Sequence, residues 1–281
     1  LFGLLISIKS NQPSEDNVYQ TSLTFGLDSK RNISGLVNRK ITDNLFIRAN
    51  YTNNYSNGFR NNRYMDTQDT NKKDEIFIRA KILFSPYDNL NINGAVISSR
   101  LNNGYDVWAP DNNDEFITFS DAMGEDSQTL DAVSFKFNYN VIDKFFVTGI
   151  SSISKVKLIH AYDGDWANDE YWMHNHGFDP AIEGWSYSFY DKNERNRNNF
   201  TQEFRISTQK YIFGFYYKKL YEKDIASGYL FGGLGDEANS RYDFENLAGY
   251  FQSDISLNEI LKMTANVRME DFSYNYNGET V

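Results

Sequence analysis

Aromatic and histidine side chains crowd one long polar stretch of this sequence, residues 158–198, where they could hold a ligand. Aromatic rings bury a large area on contact, and those of Tyr and Trp also offer a hydrogen-bonding group. The alternative is a loop whose rings pack on one another or on neighbouring loops. The candidates for a ligand-facing aromatic platform are Trp166, Tyr171, Trp172, His174, His176 and Trp185.

A metal site in the same stretch finds little support. His174 and His176, two residues apart, could both ligate a metal only if they shared one face of a strand. No third ligand accompanies them at a fixed spacing, so ordinary surface histidines and no metal site are expected. The acidic segment 163–170 departs from an EF-hand, because Ala167 would fall at position 5 of the loop and His174 at position 12.

Catalytic signatures are missing from the sequence. It contains no Ser-His-Asp arrangement, phosphate-binding glycine loop or HExxH helix, so we predict no catalytic residue, no cofactor and no enzyme. Acidic pairs of the kind that hydrolyse sugars stay open as an alternative, because carboxylates are abundant and nothing in the spacing positions two of them.

Composition narrows the class further. The 281 residues include no Cys, which excludes disulfide scaffolds, and 38 Asp and Glu against 28 Lys and Arg, which argues against nucleic acid as a partner. A mean hydropathy of −0.61 excludes a conventional transmembrane helix. Yet 16% of the residues are aromatic, too many for a disordered chain, so these rings need an apolar environment.

Strands that alternate apolar and polar residues supply the places for these rings. In residues 200–217 a hairpin folded about 207–210 sets Ile206 opposite Tyr211 and Phe204 opposite Phe213, with the polar residues on the other face. Similar hairpins are predicted about 42–44, 85–89, 141–143 and 256–260. A leading strand near 18–26 brings the total to about eleven strands, and no helix is predicted.

The connections between these hairpins are long and polar, and the longest are 53–73, 100–127, 158–198 and 223–241. Short turns therefore lie at one end of the sheet and long loops at the other. A loop of this kind could bring Trp108 to a ligand, although a mobile polar loop is the simpler expectation. A soluble sandwich and an outer-membrane barrel both fit the alternation. Stretches of 10 to 14 residues and the turn-to-loop asymmetry favour the barrel.

Three strand motifs resemble those of TonB-dependent outer-membrane receptors. "LKMTANVRMEDFSY" (261–274) is similar to a strand of that family in which Arg268 and Glu270 hold the characteristic places. "NFTQEFRIST" (199–208) resembles a second one through Glu203 and Arg205, and "YIFGFYYKK" the glycine-containing strand that follows it. The opening "LFGLLISIKSNQP" is similar to the end of the plug domain, but without the family's Arg and paired Gly.

The resemblance implies an all-β fold, an antiparallel transmembrane β-barrel of about 22 strands with a plugged lumen, of which this chain supplies about eleven. Residues 1–13 would end the plug, and 14–281 would form the N-terminal part of the barrel, with short periplasmic turns and long outer loops. The implied function is uptake of a chelated metal or similar small ligand across the outer membrane of a Gram-negative bacterium. The implied partners are outer-membrane lipid, the TonB complex acting through the plug region, and the ligand. A passive porin and a secreted glycan-binding or hydrolytic domain remain the rivals.

Overall fold

The computed structural model describes residues 9–235, 237–256, 258 and 260–280 of the chain. The described residues form fourteen strands and two short helices. In chain order these are β1 (Val18–Phe25), β2 (Arg31–Thr42), β3 (Leu45–Ser56), β4 (Asn61–Asn62), β5 (Lys73–Tyr87), β6 (Leu90–Gly104), β7 (Ile117–Thr118), β8 (Glu125–Ile142), β9 (Phe145–Asp163), α1 (Asp169–His176), α2 (Pro180–Glu183), β10 (Tyr190–Ser207), β11 (Tyr211–Leu230), β12 (Gly233–Leu234), β13 (Ala238–Ser256) and β14 (Lys262–Thr280).

Eleven long strands form one antiparallel sheet in which each strand pairs with the next long strand along the chain. The order is β1-β2-β3-β5-β6-β8-β9-β10-β11-β13-β14, and β12 pairs with the end of β11. The sheet does not close on itself, since β1 and β14 lie at its two edges. This meander confirms the predicted count of strands and fits part of a larger antiparallel barrel.

Side chains alternate between the two faces of this sheet, as the period of a strand requires. The apolar face carries Ile47, Ile82, Val133, Phe204, Phe215 and Val267. The opposite, polar face carries Arg48, Lys81, Lys136, Arg205 and Arg268. No second layer within the described residues covers the apolar face, because Phe213 is 54% exposed and Phe215 46% exposed. A sandwich would bury both rings.

The predicted faces are right, but the predicted register of four hairpins is wrong by two residues. Phe204 lies opposite Phe215 rather than Phe213, and Ile206 opposite Phe213 rather than Tyr211. The hairpins 85–89, 141–143 and 256–260 are displaced in the same direction. Each turn is centred one residue later than predicted, which shifts every cross-strand partner by two and leaves each side chain on its face.

The strands run further toward the long loops than predicted. Beyond its apolar residues the apolar face turns charged: Val133 is followed on that face by Asp131 in β8, and Tyr217 by Lys219 in β11. Apolar alternation ends there, so sequence pattern alone ended the strands too early, although backbone pairing continues. The loops at this end, called the loop end, shrink to 57–72, 105–124, 164–189 and 231–237.

Two helices in loop 164–189 correct the prediction that the chain has none. Asn168 caps α1, its side chain accepting from the Tyr171 N–H at 2.9 Å, and Gly177 ends the helix at a φ of 71°. Asp179 caps α2 in the same way. Neither helix buries a residue completely, so neither shows the apolar stripe that would reveal it in the sequence. No helix of the described residues has the length and apolar character that crossing a membrane requires.

Candidate functional site

Four residues that carried the family resemblance, Glu203, Arg205, Arg268 and Glu270, lie around Tyr250 on the polar face. These five residues are here called the wall cluster. Strand register places Arg205, Gly214, Tyr250 and Arg268 in one row across β10, β11, β13 and β14. The Arg205 guanidinium lies 2.6 Å from Glu203 and donates to the Tyr250 hydroxyl at 3.0 Å. Tyr250 in turn donates to Glu203, and Arg268 pairs with Glu270. Each acid in this cluster therefore has an arginine beside it.

Gly214 makes room for the wall cluster. The ring of Tyr250 lies over the Gly214 backbone, and a Cβ at that position would overlap the ring. Only a glycine lets the Tyr250 hydroxyl cross β11 to reach Glu203 and Arg205 on β10. This explains the glycine within the apolar and aromatic run "YIFGFYY".

The N-terminal segment crosses the polar face near the other edge of the sheet. Lys81 donates to the carbonyl oxygens of Ser10 and Asn11, both at 3.1 Å. Fully buried Asn38 donates to the carbonyl of Asp16 at 2.5 Å. Of the segment predicted to end the plug, residues 1–8 lie outside the described residues, and residues 9–13 lie against this polar face.

Loops 57–72 and 105–124 lock together around a buried carboxylate. Asp106 accepts from Asn62 at 3.1 Å, from Thr118 at 2.6 Å and from Ser120 at 3.1 Å. Beside these contacts β4 and β7 pair as a short parallel ribbon. Asp106 is saturated by neutral donors, so its role is to hold the two loops together.

Two further buried carboxylates, Asp163 and Asp165, connect loop 105–124 to loop 164–189. Asp163 accepts from the backbone N–H of Asp121 at 3.0 Å and of Trp166 at 3.1 Å. Asp165 accepts from the indole of Trp172 and from the Phe189 N–H, both at 2.9 Å. Burial, reinforced by Asp165 and Asp121, raises the pKa of Asp163 to about 8. Burial, with Asp165 and Asp169 nearby, raises the pKa of Asp121 to about 6.

Three of the six candidate residues, Tyr171, Trp172 and Trp185, pack mainly on other rings of the loops. Tyr171 lies 4.7 Å from Phe119. The ring centroids of Trp172 and Tyr187 are 4.8 Å apart. Trp185 lies 4.6 Å from Phe178 and 5.0 Å from Phe231. For these three, the geometry favours the alternative reading, a loop that packs on itself and its neighbours.

The two histidines lie on α1 rather than on a strand. Two residues apart on a helix they point about 200° apart, so they cannot bind one ion together. His174 bonds the Glu170 carbonyl at 2.8 Å through Nδ1, and His176 lies 5.0 Å from the ring of Trp172. Across the described ranges, no group of three His, Cys, Asp or Glu is arranged to hold a metal.

The sixth candidate, Trp166, is about as exposed as Trp185 but differs in the ring that it contacts. It is 39% exposed and stacks on Trp108 of loop 105–124, with ring centroids 5.8 Å apart and an angle of 29° between the planes. Trp108 is 55% exposed. Of the candidate rings, these two form an exposed stacked pair contributed by different loops.

Several residues of the loop assembly were missed by sequence reasoning. They are Asp106, Asp163, Asp165, Tyr187, Phe189 and Phe231, which hold the loops to one another. The acids resemble any solvated acid in the sequence, and Phe231 lies far along the chain in another loop. The one sequence signal for these contacts is the alternation of tight turns with long loops, which predicts that the long loops lie together at one end of the sheet.

The fold has close counterparts among solved structures. The ferric yersiniabactin uptake receptor FyuA of Yersinia pestis matches 97% of this chain with 42% of its own, at a TM-score of 0.75 and 14% identity. The ferric-catecholate import receptor Fiu of E. coli K12 matches 96% with 43% of its own, at 0.57 and 14%. The siderophore receptor PiuA of Acinetobacter baumannii matches 96% with 48% of its own, at 0.55 and 10%.

The chain thus spans less than half the length of each of these receptors. No family model and no curated protein matches the sequence. At these identities the likeness establishes the fold, an antiparallel barrel wall of the type found in TonB-dependent siderophore and iron-complex receptors.

Proposed function

We propose that this chain is part of an outer-membrane receptor that takes up a small ligand, such as a chelated metal, through a TonB-dependent barrel. The observation that carries the proposal is a single-layered sheet whose apolar side chains stay exposed on one face while arginines and carboxylates line the other. Such a sheet suits a wall between lipid and a wet lumen. The match to barrel walls of iron-chelate receptors over nearly the whole chain supports the same reading.

The apolar face has the depth of a bilayer. Along β13 its uncharged part runs for about 9 residues, from Ile255 near the turn end, the end of the sheet with the tight turns, to Leu247, before Glu245 appears. This is the length that a tilted strand needs to span a membrane. We call this part of the face the apolar belt. The strands then continue toward the long loops with charged residues on that face. Turns on the periplasmic side and long loops outside are the arrangement that bacterial barrels share.

The polar face provides the place where a plug would sit. Residues 9–13 already lie against it, which supports a boundary at which residues 1–13 end a plug domain and 14–281 form the barrel. In this proposal the TonB complex acts on the plug, and this chain supplies wall and outer loops. The exposed rings of Trp108 and Trp166 on those loops would make the first contact with the ligand.

The location can be tested with the full-length protein by cell fractionation. We expect it in the outer membrane, released only by detergent. A full-length protein that is soluble and monodisperse without detergent would refute the proposal and support a secreted all-β domain.

Transport can be tested by uptake of radiolabelled ferric chelates under iron limitation, in cells with and without the gene. Deleting the gene should abolish uptake of at least one chelate, and deleting the TonB system should abolish uptake while leaving binding to whole cells intact. Uptake that persists without TonB would identify a passive porin instead.

A further inference from the structure

Trp166 is exposed at a position where its neighbours are buried. Asp165 is 4% exposed and Ala167 is fully buried, whereas the much larger and more apolar Trp166 between them is 39% exposed. Burial normally follows the opposite order, with the large apolar residue inside and the carboxylate in water. The loop therefore turns this indole outward at the expense of its own packing.

The backbone of Trp166 is held in a conformation that bulky residues avoid. Its φ is 64°, in the left-handed region, and its N–H donates to the buried carboxylate of Asp163 at 3.1 Å. The next residue, Ala167, accepts from the Asp121 N–H at 3.1 Å and so fastens the segment to loop 105–124. Strain of this kind persists only where surrounding contacts impose it, and it collects at functional positions.

Trp108 reaches the same place from loop 105–124. The carbonyl of its neighbour Val107 accepts from Arg60 at 2.5 Å, and the Asp106 carboxylate anchors the chain on the other side of Val107. Two loops thus present two exposed indoles in a stacked pair, which we call the indole pair (Trp108 and Trp166).

The two loops that carry the indole pair contain charged residues of one sign only. Loops 105–124 and 164–189 contain ten Asp and Glu and no Lys or Arg, which equals the net charge of −10 of the whole chain. The exposed carboxylates are Asp111, Asp114, Glu115, Glu170 and Glu183. One cation does reach these loops: Arg60 of loop 57–72 donates to the Val107 carbonyl beside Trp108, and its guanidinium lies 5.3 Å from the ring of Phe59 and 5.9 Å from that of Phe116. Ten acids on these two loops outnumber this arginine, so their net charge is negative and attracts cations while it repels anions.

We propose that the indole pair is the capture site for a cationic ligand, an organic cation or a chelate of net positive charge, and that it rejects anionic chelates. The faces of indole rings attract cations more strongly than those of other side chains, and the surrounding carboxylates add a long-range attraction. An anionic ligand would gain stacking but meet ten negative charges on the same two loops. This inference rests on the proposed receptor function and specifies its ligand class.

The experiment uses the full-length receptor in detergent and three probes of one shape: N-methylquinolinium, neutral quinoline and quinoline-4-carboxylate. Calorimetric titration at pH 7.5 and low salt should rank affinity as cation, then neutral probe, then anion, with at least about a tenfold gap between cation and anion. Added salt should narrow that gap. An anion that binds as tightly as the cation would overturn the proposal.

Variants locate the binding. Trp108→Ala and Trp166→Ala should each weaken cation binding by about fivefold or more, from loss of the cation–π contact. Asp111→Asn with Asp114→Asn should weaken the cation and strengthen the anion. Tyr64→Ala, which removes a 53% exposed ring from loop 57–72, should leave both unchanged. Unchanged cation affinity in both Trp variants would overturn the proposal.

Two further readouts separate this inference from folding effects and from the receptor function. Trp108→Phe keeps a ring with a weaker field and should fall between the parent and Trp108→Ala, which a collapsed loop would not show. If whole cells import an anionic ferric chelate and the two Trp→Ala variants do so at the parental rate, the capture site proposed here is wrong while the receptor function stands.

Discussion

The apolar belt and the loop end are made from the same strands but treat charge in opposite ways. In the belt, charged side chains turn to the polar face, where the wall cluster sets each carboxylate beside an arginine. At the loop end, charges appear on both faces, and the two longest loops carry ten acids without one Lys or Arg. The free-energy cost of an unpartnered charge is small in water and large in a membrane or a confined lumen. The distribution of charge therefore marks the boundary between the belt and the water-exposed loop end.

The strongest test of this comparison places one charge in each region. In the full-length receptor, Phe215→Arg should lower the free energy of unfolding in phospholipid vesicles by about 2–4 kcal/mol, because Arg at membrane depth must face hydrocarbon. Asn198→Arg, on the same face of the neighbouring strand but beyond the belt, should change it by about 0–1 kcal/mol. Equal costs in a denaturant titration would mean that the apolar belt does not face lipid.

A second test disturbs the wall cluster without touching its charges. Gly214→Ala should cost about 1–3 kcal/mol, because the added methyl overlaps the ring of Tyr250 and pushes its hydroxyl away from Glu203 and Arg205. Gly249→Ala is the matched control, since a Cβ there meets nothing within 4 Å. If the two alanine variants unfold at the same denaturant concentration, the close approach of Tyr250 has no energetic weight.

A third test uses pH at the loop end. The pKa of Asp163, raised to about 8, and that of Asp121, raised to about 6, lie above the ordinary values of the unfolded chain. The folded loops therefore bind more protons than the unfolded chain does between about pH 4 and about pH 8. For that reason the free energy that holds the loops folded falls as pH rises from about 4 to about 8. The carboxylates of Asp165 and Asp169 face the same site, and their negative charge adds to the rise in the pKa of Asp121.

Hydrogen exchange measures this effect at the Asp121 amide, which bonds Asp163 and Ala167. After correction for the intrinsic rate, opening should increase by about tenfold or more between pH 5 and pH 8, since one pKa unit corresponds to a factor of ten. Asp163→Asn should flatten this dependence. The Asn57 amide, bonded to Asp28 elsewhere at the loop end, should show none of it. Equal pH dependence at both amides would contradict the assignment.

The smallest effect is expected at an exposed ion pair. Lys219 and Glu245 lie 2.7 Å apart on the apolar face just beyond the belt, with half of each side chain in solvent. Glu245→Gln should leave the free energy of unfolding unchanged within error, because exposed pairs contribute little. The matched change in the wall cluster, Glu203→Gln, should lower it. A large loss at Glu245 would place that residue at membrane depth and move the boundary of the belt.

Much of the fold follows from local pattern. The alternation in 200–217 and 261–269 assigns each side chain to its face, since a strand admits only two. The strand motifs of the family resemblance also single out Glu203, Arg205, Arg268 and Glu270. Their meeting through Tyr250 was not foreseen, because it depends on which residues face each other across three strand pairs, and the predicted registers were two residues out.

The candidate site followed the sequence less closely. The sequence shows that one loop is rich in aromatic and histidine side chains. It does not show which of the six candidates pack against other rings and which remain exposed. His174 and His176 lie on helix α1 and therefore do not share a face. The rings that pack against Tyr171 and Trp185, Phe119 and Phe231, come from other loops.

The sequence by itself determined the two-faced strands and the alternation of tight turns with long loops, because both depend on residues close together in the chain. Tertiary structure alone decided the register that assembles the wall cluster, the buried carboxylates that join the loops, and the selection of Trp108 and Trp166 as an exposed pair. Those features depend on contacts between residues some 50 positions apart in the chain. Contacts between such distant residues produce no periodic pattern in the sequence.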